Sequence, residues 1–417
     1  MTKQVLVVGG GAAGMMAAGR AAECGADVLL LEKTPRLGNK LGLTGKGRCN
    51  LTNEADLSPF ITHFGETGPF LYGAFARFFV QDLVAFFNQR GVPTVVERGG
   101  RVFPASNDAR QVVDALEGYL VGTGVQIRRG FPVDRLQVEG QQIQGVQGKG
   151  HVLPGAAVIL ATGGASYPRT GSDGSGYQLA AAVGHHIVPV GPALVPLIAV
   201  ERWTHELQGL SLRNVQVTLL LNDQPLGQEL GEMLFTHFGV SGPIVLTLSK
   251  RAVRALPQGR VSLAVNLKPA LTPEELDERL QRELDQHGRR QLHNVLAGLL
   301  PVRMVHVFAA LLGLQNKPAH QVTAAERRRI RMLLQDLRIT ISGSRPIAEA
   351  IVTAGGVDTR EIDPRTMQSR LIQGLFFCGE VIDIDADTGG YNLQAAFSTG
   401  HLAGESAARA VKGAALG

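Results

Sequence analysis

Residues 5–14 read VLVVGGGAAG, an apolar run that ends in glycine, and a second apolar run, VLLLEK, closes on Glu32. Short apolar runs bounded by glycine predict strands buried on both faces, where polar alternation is lost. The stretch between them, AAGMMAAGRAAECG, is rich in small residues and predicts a helix lying close against the sheet. Similar buried strands are predicted at 157–164, AVILATGG, and at 375–379, LFFCG. A final helix should begin near Tyr391-Asn392 and run to about Arg409. Phe70, Leu71, Phe75, Phe78, Phe79, Leu83, Phe86 and Phe87 recur at helical spacing, so 70–90 predicts one amphipathic helix with its aromatics in the core. Val92–Arg98 and Arg101–Phe103 read as a hairpin around Gly99-Gly100. A helix is expected over 109–121 and another at about 176–184, with strands at Val125–Arg129 and Leu136–Val138.

From Ile187 to Leu267 the pattern changes. NVQVTLLL and RVSLAVNL are β-rich, with Asn222-Asp223 as a hairpin turn, while Ser241-Gly242-Pro243 precedes a helical stretch. Thr272-Pro273-Glu274-Glu275 joins a threonine cap, a proline at the first helical position and a glutamate three residues after the cap. Thr323-Ala324-Ala325-Glu326 repeats the capping box, and Leu337–Ile341 returns to strand. The pattern therefore divides the chain into an α/β part formed by 1–187 and 342–417, a β-rich insert at 188–270 with 337–341, and a helical subdomain at 271–336.

The first strand, helix and second strand carry Gly9-x-Gly11-x-x-Gly14 and, at the end of the second strand, Glu32. Strand, glycines, helix, strand and acid in this order form the β-α-β unit that sets a dinucleotide pyrophosphate on a helix N-terminus. The glycines permit the tight turn and close approach to phosphate, and the acid can accept hydrogen bonds from ribose hydroxyls. The following stretch, TPRLGNKLGLTGKGRCNLTN at 34–53, is read as wrapping the cofactor, with Lys40, Lys46 and Arg48 supplying positive charge. A strand ending in Ala161-Thr162-Gly163-Gly164 lets backbone pass near a ligand at the carboxyl edge of a parallel sheet. There is one dinucleotide fingerprint and no second GxGxxG opening a helix, so two-dinucleotide-domain reductases are a poor guide. Any nicotinamide cofactor, NADH or NADPH, would bind transiently near the first.

Glycine is abundant, with 52 residues clustered in short motifs, which fits a chain with many backbone–ligand approaches. Net charge of +5 suits anionic cofactors or substrates and is too weak to imply nucleic acid by itself. The run Arg327-Arg328-Arg329 with Arg331 is read as a solvated helix face. Cys24, Cys49 and Cys378 are too far apart in sequence for a CxxC dithiol or a structural zinc site, so no metal is expected. The first strand begins almost at once, leaving no room for a signal peptide, and prolines 189, 192 and 196 interrupt the apolar region 187–200. These features predict a reduced, cytoplasmic protein without a membrane span; the residues carry no signal for oligomeric state.

The motifs GLTGKGRCNLTN, ATGGASYPRTGSDGSGY, GEMLFTHFGVSGP, AGGV and GEVIDIDADTGGYNLQAAFSTG occur in order over almost the whole chain. In this set the chain resembles the YhiN/BaiN-type bacterial flavoproteins, described as NAD(P)/FAD-dependent oxidoreductases. The resemblance implies a Rossmann-like FAD-binding domain built from both chain ends, interrupted by a β-barrel-like domain and a small helical one. It implies that Gly9, Gly11, Ala12, Ala13 and Gly14 hold the pyrophosphate and that Glu32 and Lys33 lie at the adenosine ribose. Val133 would meet adenine. Gly45, Gly47, Arg48, Cys49 and Asn50 would lie along the flavin and its ribityl chain, and Lys40, Ala161, Thr162 and Gly163 are further cofactor-binding candidates. Gly379, Glu380 and Asp383 would reach ribityl or phosphate groups, and Gly389, Gly390, Tyr391, Asn392 and Leu393 would bring a helix N-terminus to the flavin pyrimidine edge. A helix start there would favour the negative charge of a reduced flavin by roughly 0.3–1 kcal/mol.

The resemblance further implies hydride transfer between FAD and a small organic substrate, an enone or a steroid-like compound, since the BaiN type is linked to bile-acid reduction. Tyr167, Arg169 and His237 lie in the shared motifs and are the candidate catalytic residues, although His237 beside the Ser-Gly-Pro turn also reads as a structural histidine. Cys49 reads as a packed thiol. A second reading, an FAD-containing RNA-modification or nucleic-acid-binding protein, rests on the basic bias and the arginine run.

Overall fold

The computed structural model describes residues 4–413, which fall into two compact units, 4–193 with 347–413, and Leu194–Pro346. In the first unit, strand β1 (Gln4–Val8), helix α1 (Ala12–Glu23) and strand β2 (Asp27–Glu32) form the expected β-α-β unit. The sheet has five parallel strands in the spatial order Leu375–Phe377, Ala157–Leu160, β1, β2, Gln126–Arg129. Val5, Leu6, Val7 and the whole of Ala157–Leu160 are fully buried, as befits strands covered on both faces. The strand from 375 therefore lies beside a strand more than two hundred positions earlier, which makes the unit from both chain ends. Its exit and return strands, Ile187–Ala193 and Val352–Val357, pair antiparallel within the same unit.

The long helix Tyr391–Gly413 lies on α1. Gly400 and Gly404 sit on the carbonyls of Ala13 and Ala17, where any side chain would overlap backbone. Small residues one turn apart thus let two helix backbones touch, and this holds the α1 N-terminus beside the C-terminal segment.

Residues 70–90 depart from the single helix that their spacing predicts. They form a 3₁₀ turn, Gly65–Leu71, a short helical turn, Tyr72–Phe75, and a separate helix, Val80–Gln89. The break has two causes, one distant in the chain and one local. Gly73 is pressed onto the backbone of Pro364, and Asp82 turns back to accept the Phe79 N–H at 2.9 Å, which starts a new helix. The apolar spacing survives because the two pieces and the link between them still put Phe75, Phe78, Leu83, Phe86 and Phe87 into the core. Among the described residues no single helix is long and apolar enough to cross a membrane; this bent pair reaches that composition only when taken together, across a 56° bend.

The second unit is a six-strand closed barrel in the order Leu197–Ala199, Gly239–Ser241, Gln224–Thr236, Ser211–Leu221, Val261–Asn266, Leu337–Ser344. Asn222 and Asp223 both adopt positive φ, 50° and 65°, the geometry of a tight hairpin turn between its two longest strands. Helices Pro273–Gln286 and Ala324–Gln335 begin with complete capping boxes at Thr272/Glu275 and Thr323/Glu326. Their apolar faces, Leu276, Leu280, Ile330 and Leu334, join the same core as barrel residues Leu219, Phe235 and Leu263. Within the arginine run, Arg327 is bound to Asp277 and Arg329 to the Leu312 carbonyl.

Candidate cofactor and active site

The β1–α1 turn is tight at two glycines and open at the third. Gly9 has φ +106°, and a side chain there would stand 2.5 Å from the Ala161 carbonyl oxygen. At Gly14 it would overlap the carbonyl of Gly9. At Gly11 it would meet nothing within 4 Å. Gly11 is also the N-cap of α1, and no side chain caps the helix there. The first turn of α1 is therefore left without a side-chain cap beside the open face at Gly11, the arrangement that receives phosphate oxygens. Glu32, 8% exposed, is fixed by accepting the N–H of Gly10 and of Thr34, each at 2.7 Å. Both carboxylate oxygens keep lone pairs for hydroxyl donors. Val133 lies half-buried just beyond Phe131, whose N–H donates to the Glu32 carbonyl at 2.9 Å. Lys33 is held by Asp173 at 2.6 Å and Ser175 at 3.1 Å.

The loop after β2 is conformationally unusual. Gly45, Lys46, Gly47 and Cys49 all have positive φ, 58°, 60°, 84° and 60°. Two non-glycine residues in this region cost on the order of 1 kcal/mol each and are held in place by their surroundings. Burial pushes the Cys49 thiol up to about 12, so it stays protonated and packs as a small apolar group. Arg48 donates to Asn107 at 2.7 Å, pairs with Glu97 and lies 4.2 Å from the Phe103 ring centroid, so its charge is directed to the neighbouring hairpin.

Lys40 lies at the centre of a polar network. Its Nζ is 2.6 Å from Glu380 Oε2 and 2.7 Å from Ser166 Oγ. Glu380 Oε1 accepts the Thr353 N–H at 2.9 Å, and Thr353 Oγ1 in turn accepts the Ala165 N–H at 2.8 Å. The cofactor loop, the ATGGAS turn, the strand Val352–Val357 and the GlyGlu pair at 379–380 are thereby tied together. Ser166 and Thr353 were not among the residues singled out in the sequence; short hydroxyl side chains with partners nearly two hundred positions away leave no local signal. Asp383 is half-buried, its N–H donating to Val357 at 3.0 Å.

At the start of the C-terminal helix, Gly390 (φ +104°) presses on the backbone of Thr52. Asn392 folds back to brace its own turn, accepting the Ala386 N–H and donating to the Ala386 carbonyl, both at 2.9 Å. Tyr391 is buried, with Phe60 edge-on at 4.7 Å and His63 stacked at 3.9 Å. Leu393 is half-buried beside it.

Tyr167 and Arg169 follow Ser166 on an exposed turn. Tyr167 has φ +53°, a strained position for a large residue, fixed by its N–H donating to the Ala348 carbonyl at 3.2 Å. His237 belongs to the second unit, exposed on the turn before Gly239–Ser241 and edge-on to Phe238. A different constellation, Ser369–His185–Glu361, has the hydrogen-bond order of a hydrolase triad, with distances of 2.8 and 3.0 Å. It is structural: His185 is wholly buried, and Ser369 Oγ already accepts the N–H groups of Leu371 and Ile372 at 3.0 and 2.8 Å.

These surroundings fit FAD. The side-chain oxygens of Asn50, Thr162 and Ser172 are buried without any protein partner, an arrangement costly unless a ligand satisfies them. Together with the open Gly11 face and the uncapped helix, they supply donors and acceptors along the carboxyl edge of the parallel sheet.

A flavoprotein with a Rossmann-type FAD domain is the class that this fold and site define. The chain belongs to the family described as HI0933-like protein Rossmann domain, which matches residues 3–406. It is 34% identical over 407 residues to the 3-dehydro-bile acid delta(4,6)-reductase of Clostridium scindens, covering 96% of this chain and 98% of that protein. It is 30% identical over 400 residues to the ribosomal RNA dihydrouridine synthase of Escherichia coli, covering 94% and 95%. In fold it is similar to a flavocytochrome c3 fumarate reductase, with TM-score 0.52, 18% identity, and 98% of this chain and 78% of that one covered. It is likewise similar to the 3-ketosteroid delta1-dehydrogenase of Sterolibacterium denitrificans, with TM-score 0.52, 13% identity, and 98% and 100% covered. The protein is an FAD-dependent oxidoreductase, with the α/β fold and barrel insert expected from its motifs.

Proposed function

We propose that this protein reduces a carbon–carbon double bond conjugated to a carbonyl, on a small enone or steroid-like substrate, with NADH or NADPH as the source of electrons. The observation that carries this reading is the 34% identity, over nearly the full length of both chains, to a protein named as a bile-acid delta(4,6)-reductase. When bound, FAD supplies the two-electron chemistry; the protein supplies position and electrostatics. Glu32, the open α1 N-terminus and the Asn50, Thr162 and Ser172 oxygens would hold the cofactor. Tyr167 and Arg169, exposed on a braced turn next to the Lys40–Glu380 network, would receive the substrate carbonyl. The three free thiols, two of them fully buried, accord with a reducing cytoplasm.

The test is anaerobic titration of the purified flavoprotein with NADH and with NADPH, followed by addition of cyclohexenone or a 3-oxo-4-ene steroid. Bleaching by one nicotinamide and recovery of the flavin spectrum on adding the enone is the expected result; a flavin that neither nicotinamide reduces removes the nicotinamide-linked reading.

A second reading has its own observation, the 30% identity to a ribosomal RNA dihydrouridine synthase. Uracil also presents a double bond conjugated to a carbonyl, so the same bond chemistry would act on a base within RNA. Reoxidation by RNA in place of the enone, together with binding that weakens steeply with salt, would favour it.

A further inference from the structure

His63 and Asp387 are tied to each other twice. His63 Nδ1 lies 2.9 Å from Asp387 Oδ2, and the Asp387 N–H donates to the His63 carbonyl at 3.2 Å. The two residues are 324 positions apart, one closing the short helix Leu57–Thr62 and the other preceding Gly389-Gly390. A carboxylate accepting from Nδ1 favours the Nδ1–H tautomer of the neutral imidazole. That leaves Nε2 as the ring nitrogen available to a ligand. The His63 side chain is 33% exposed, in contrast to the fully buried His185.

The dyad adjoins the start of the C-terminal helix. The His63 ring stacks on Tyr391, the first residue of the C-terminal helix, and the two glycines between Asp387 and that tyrosine present no side chains. Gly390 in turn rests on Thr52, two residues after Asn50 with its orphaned buried oxygen. The other titratable groups of this region are committed elsewhere. Glu380 is bound by Lys40 and by the Thr353 N–H. The Cys49 thiol is buried, and Tyr177 is buried with its hydroxyl donating to the Glu380 carbonyl at 3.4 Å.

We propose that His63, oriented by Asp387, is the acid that protonates the substrate α-carbon during reduction of the double bond; this rests on the enone-reduction reading above. The balance is simple. Bound FAD would supply the hydride equivalent to the β-carbon, with NADH or NADPH as the reductant. The π electron pair of the double bond forms the new bond between the α-carbon and the proton from His63 Nε2. The imidazolium becomes neutral imidazole and recovers its proton from solvent. His63 is then a catalytic residue and Asp387 a positioning residue.

The two half-reactions separate this role from a structural one. In stopped-flow experiments with His63→Gln, flavin reduction by the nicotinamide should proceed at the wild-type rate, because it needs no protein acid. Reoxidation by cyclohexenone should slow by about 10²-fold or more. Asp387→Asn should slow the same half-reaction by a smaller factor. A readout independent of turnover is the ¹⁵N–¹H spectrum of the ring-labelled apoprotein: His63 should be the Nδ1–H tautomer in the wild type and lose that preference in Asp387→Asn. FAD content, read from the visible spectrum, reports folding of each variant. Wild-type reoxidation rates in His63→Gln, or both half-reactions falling together, would overturn the assignment of His63. Failure of any enone to reoxidise the wild type would instead overturn the proposed function, and the proton-transfer role with it.

Discussion

Lys40 Nζ and Glu380 Oε2 meet at 2.6 Å although 340 residues separate them in the chain. The pair is about four-fifths shielded from solvent, with side-chain exposures of 23% and 19%, and it joins the cofactor loop to the returning C-terminal segment. Removing one partner leaves a poorly solvated charge, whereas removing both does not. Lys40→Met or Glu380→Gln should each weaken FAD binding by about 1–3 kcal/mol, on the scale of an orphaned part-buried charge. The double variant should lose less than the sum of the two. Fluorescence titration of apoprotein with FAD gives all three values, and strict additivity would mean that the pair does not act as a unit.

The turn carrying Tyr167 and Arg169 makes a prediction of a different kind. If these side chains receive the substrate carbonyl, Arg169→Ala and Tyr167→Phe should lower kcat/KM for the enone by roughly 10-fold, a loss of about 1.4 kcal/mol. Flavin reduction by the nicotinamide should be unaffected. Unchanged enone kinetics in both variants would remove this turn from the mechanism.

Much of the fold in both units was legible because its signals are local. The β-α-β unit needs only apolar runs, glycines and an acid at fixed spacing, and the capping boxes at Thr272 and Thr323 are four-residue signals. The broken helix at 70–90 was not legible, since apolar spacing is the same in one helix or two. What breaks it is Gly73 meeting the Pro364 backbone, a contact across almost 300 positions. The same limit hid His63 and Asp387. Each is an unremarkable polar residue in sequence, and only the fold makes them a pair. Arg48 shows the converse: its motif placed it among the cofactor residues, whereas its charge is met by Glu97 and Asn107.

His401 gives a pH dependence with a defined sign. Burial first, and the nearby charge of Arg20 second, lower it from 6.5 to about 4, and its Nδ1 has no partner. Between these values the unfolded chain binds more protons than the folded one. Stability from this group is therefore intact above about pH 6.5 and is lost as pH falls toward about 4. The upper bound is about 3–4 kcal/mol, from about 1.4 kcal/mol per pH unit. His401→Leu should flatten the drop in urea midpoint between pH 7 and pH 4.5 relative to wild type; an identical drop would place the acid sensitivity elsewhere.

In the second unit, Thr272→Ala and Thr323→Ala each remove a hydroxyl that accepts an N–H of the first helical turn, at 3.2 and 3.3 Å. Each should cost about 1 kcal/mol, and the two should add because they start different helices. Chemical denaturation monitored by circular dichroism would measure this directly.

The central claim is that the dinucleotide end of FAD lies on the open face of the β1–α1 turn, and Gly11 tests it most directly. Its φ of −83° suits any residue, and a Cβ there would touch no protein atom within 4 Å. Gly11→Ala should leave the melting temperature of the apoprotein within a few degrees of wild type, since replacing a glycine N-cap by alanine costs up to about 1 kcal/mol and the chain is long. The same variant should bind FAD at least about 10-fold more weakly, because the added methyl group occupies the space that backbone leaves for phosphate. An apoprotein of normal stability with impaired FAD affinity is the predicted result. Wild-type FAD affinity in Gly11→Ala would contradict the placement.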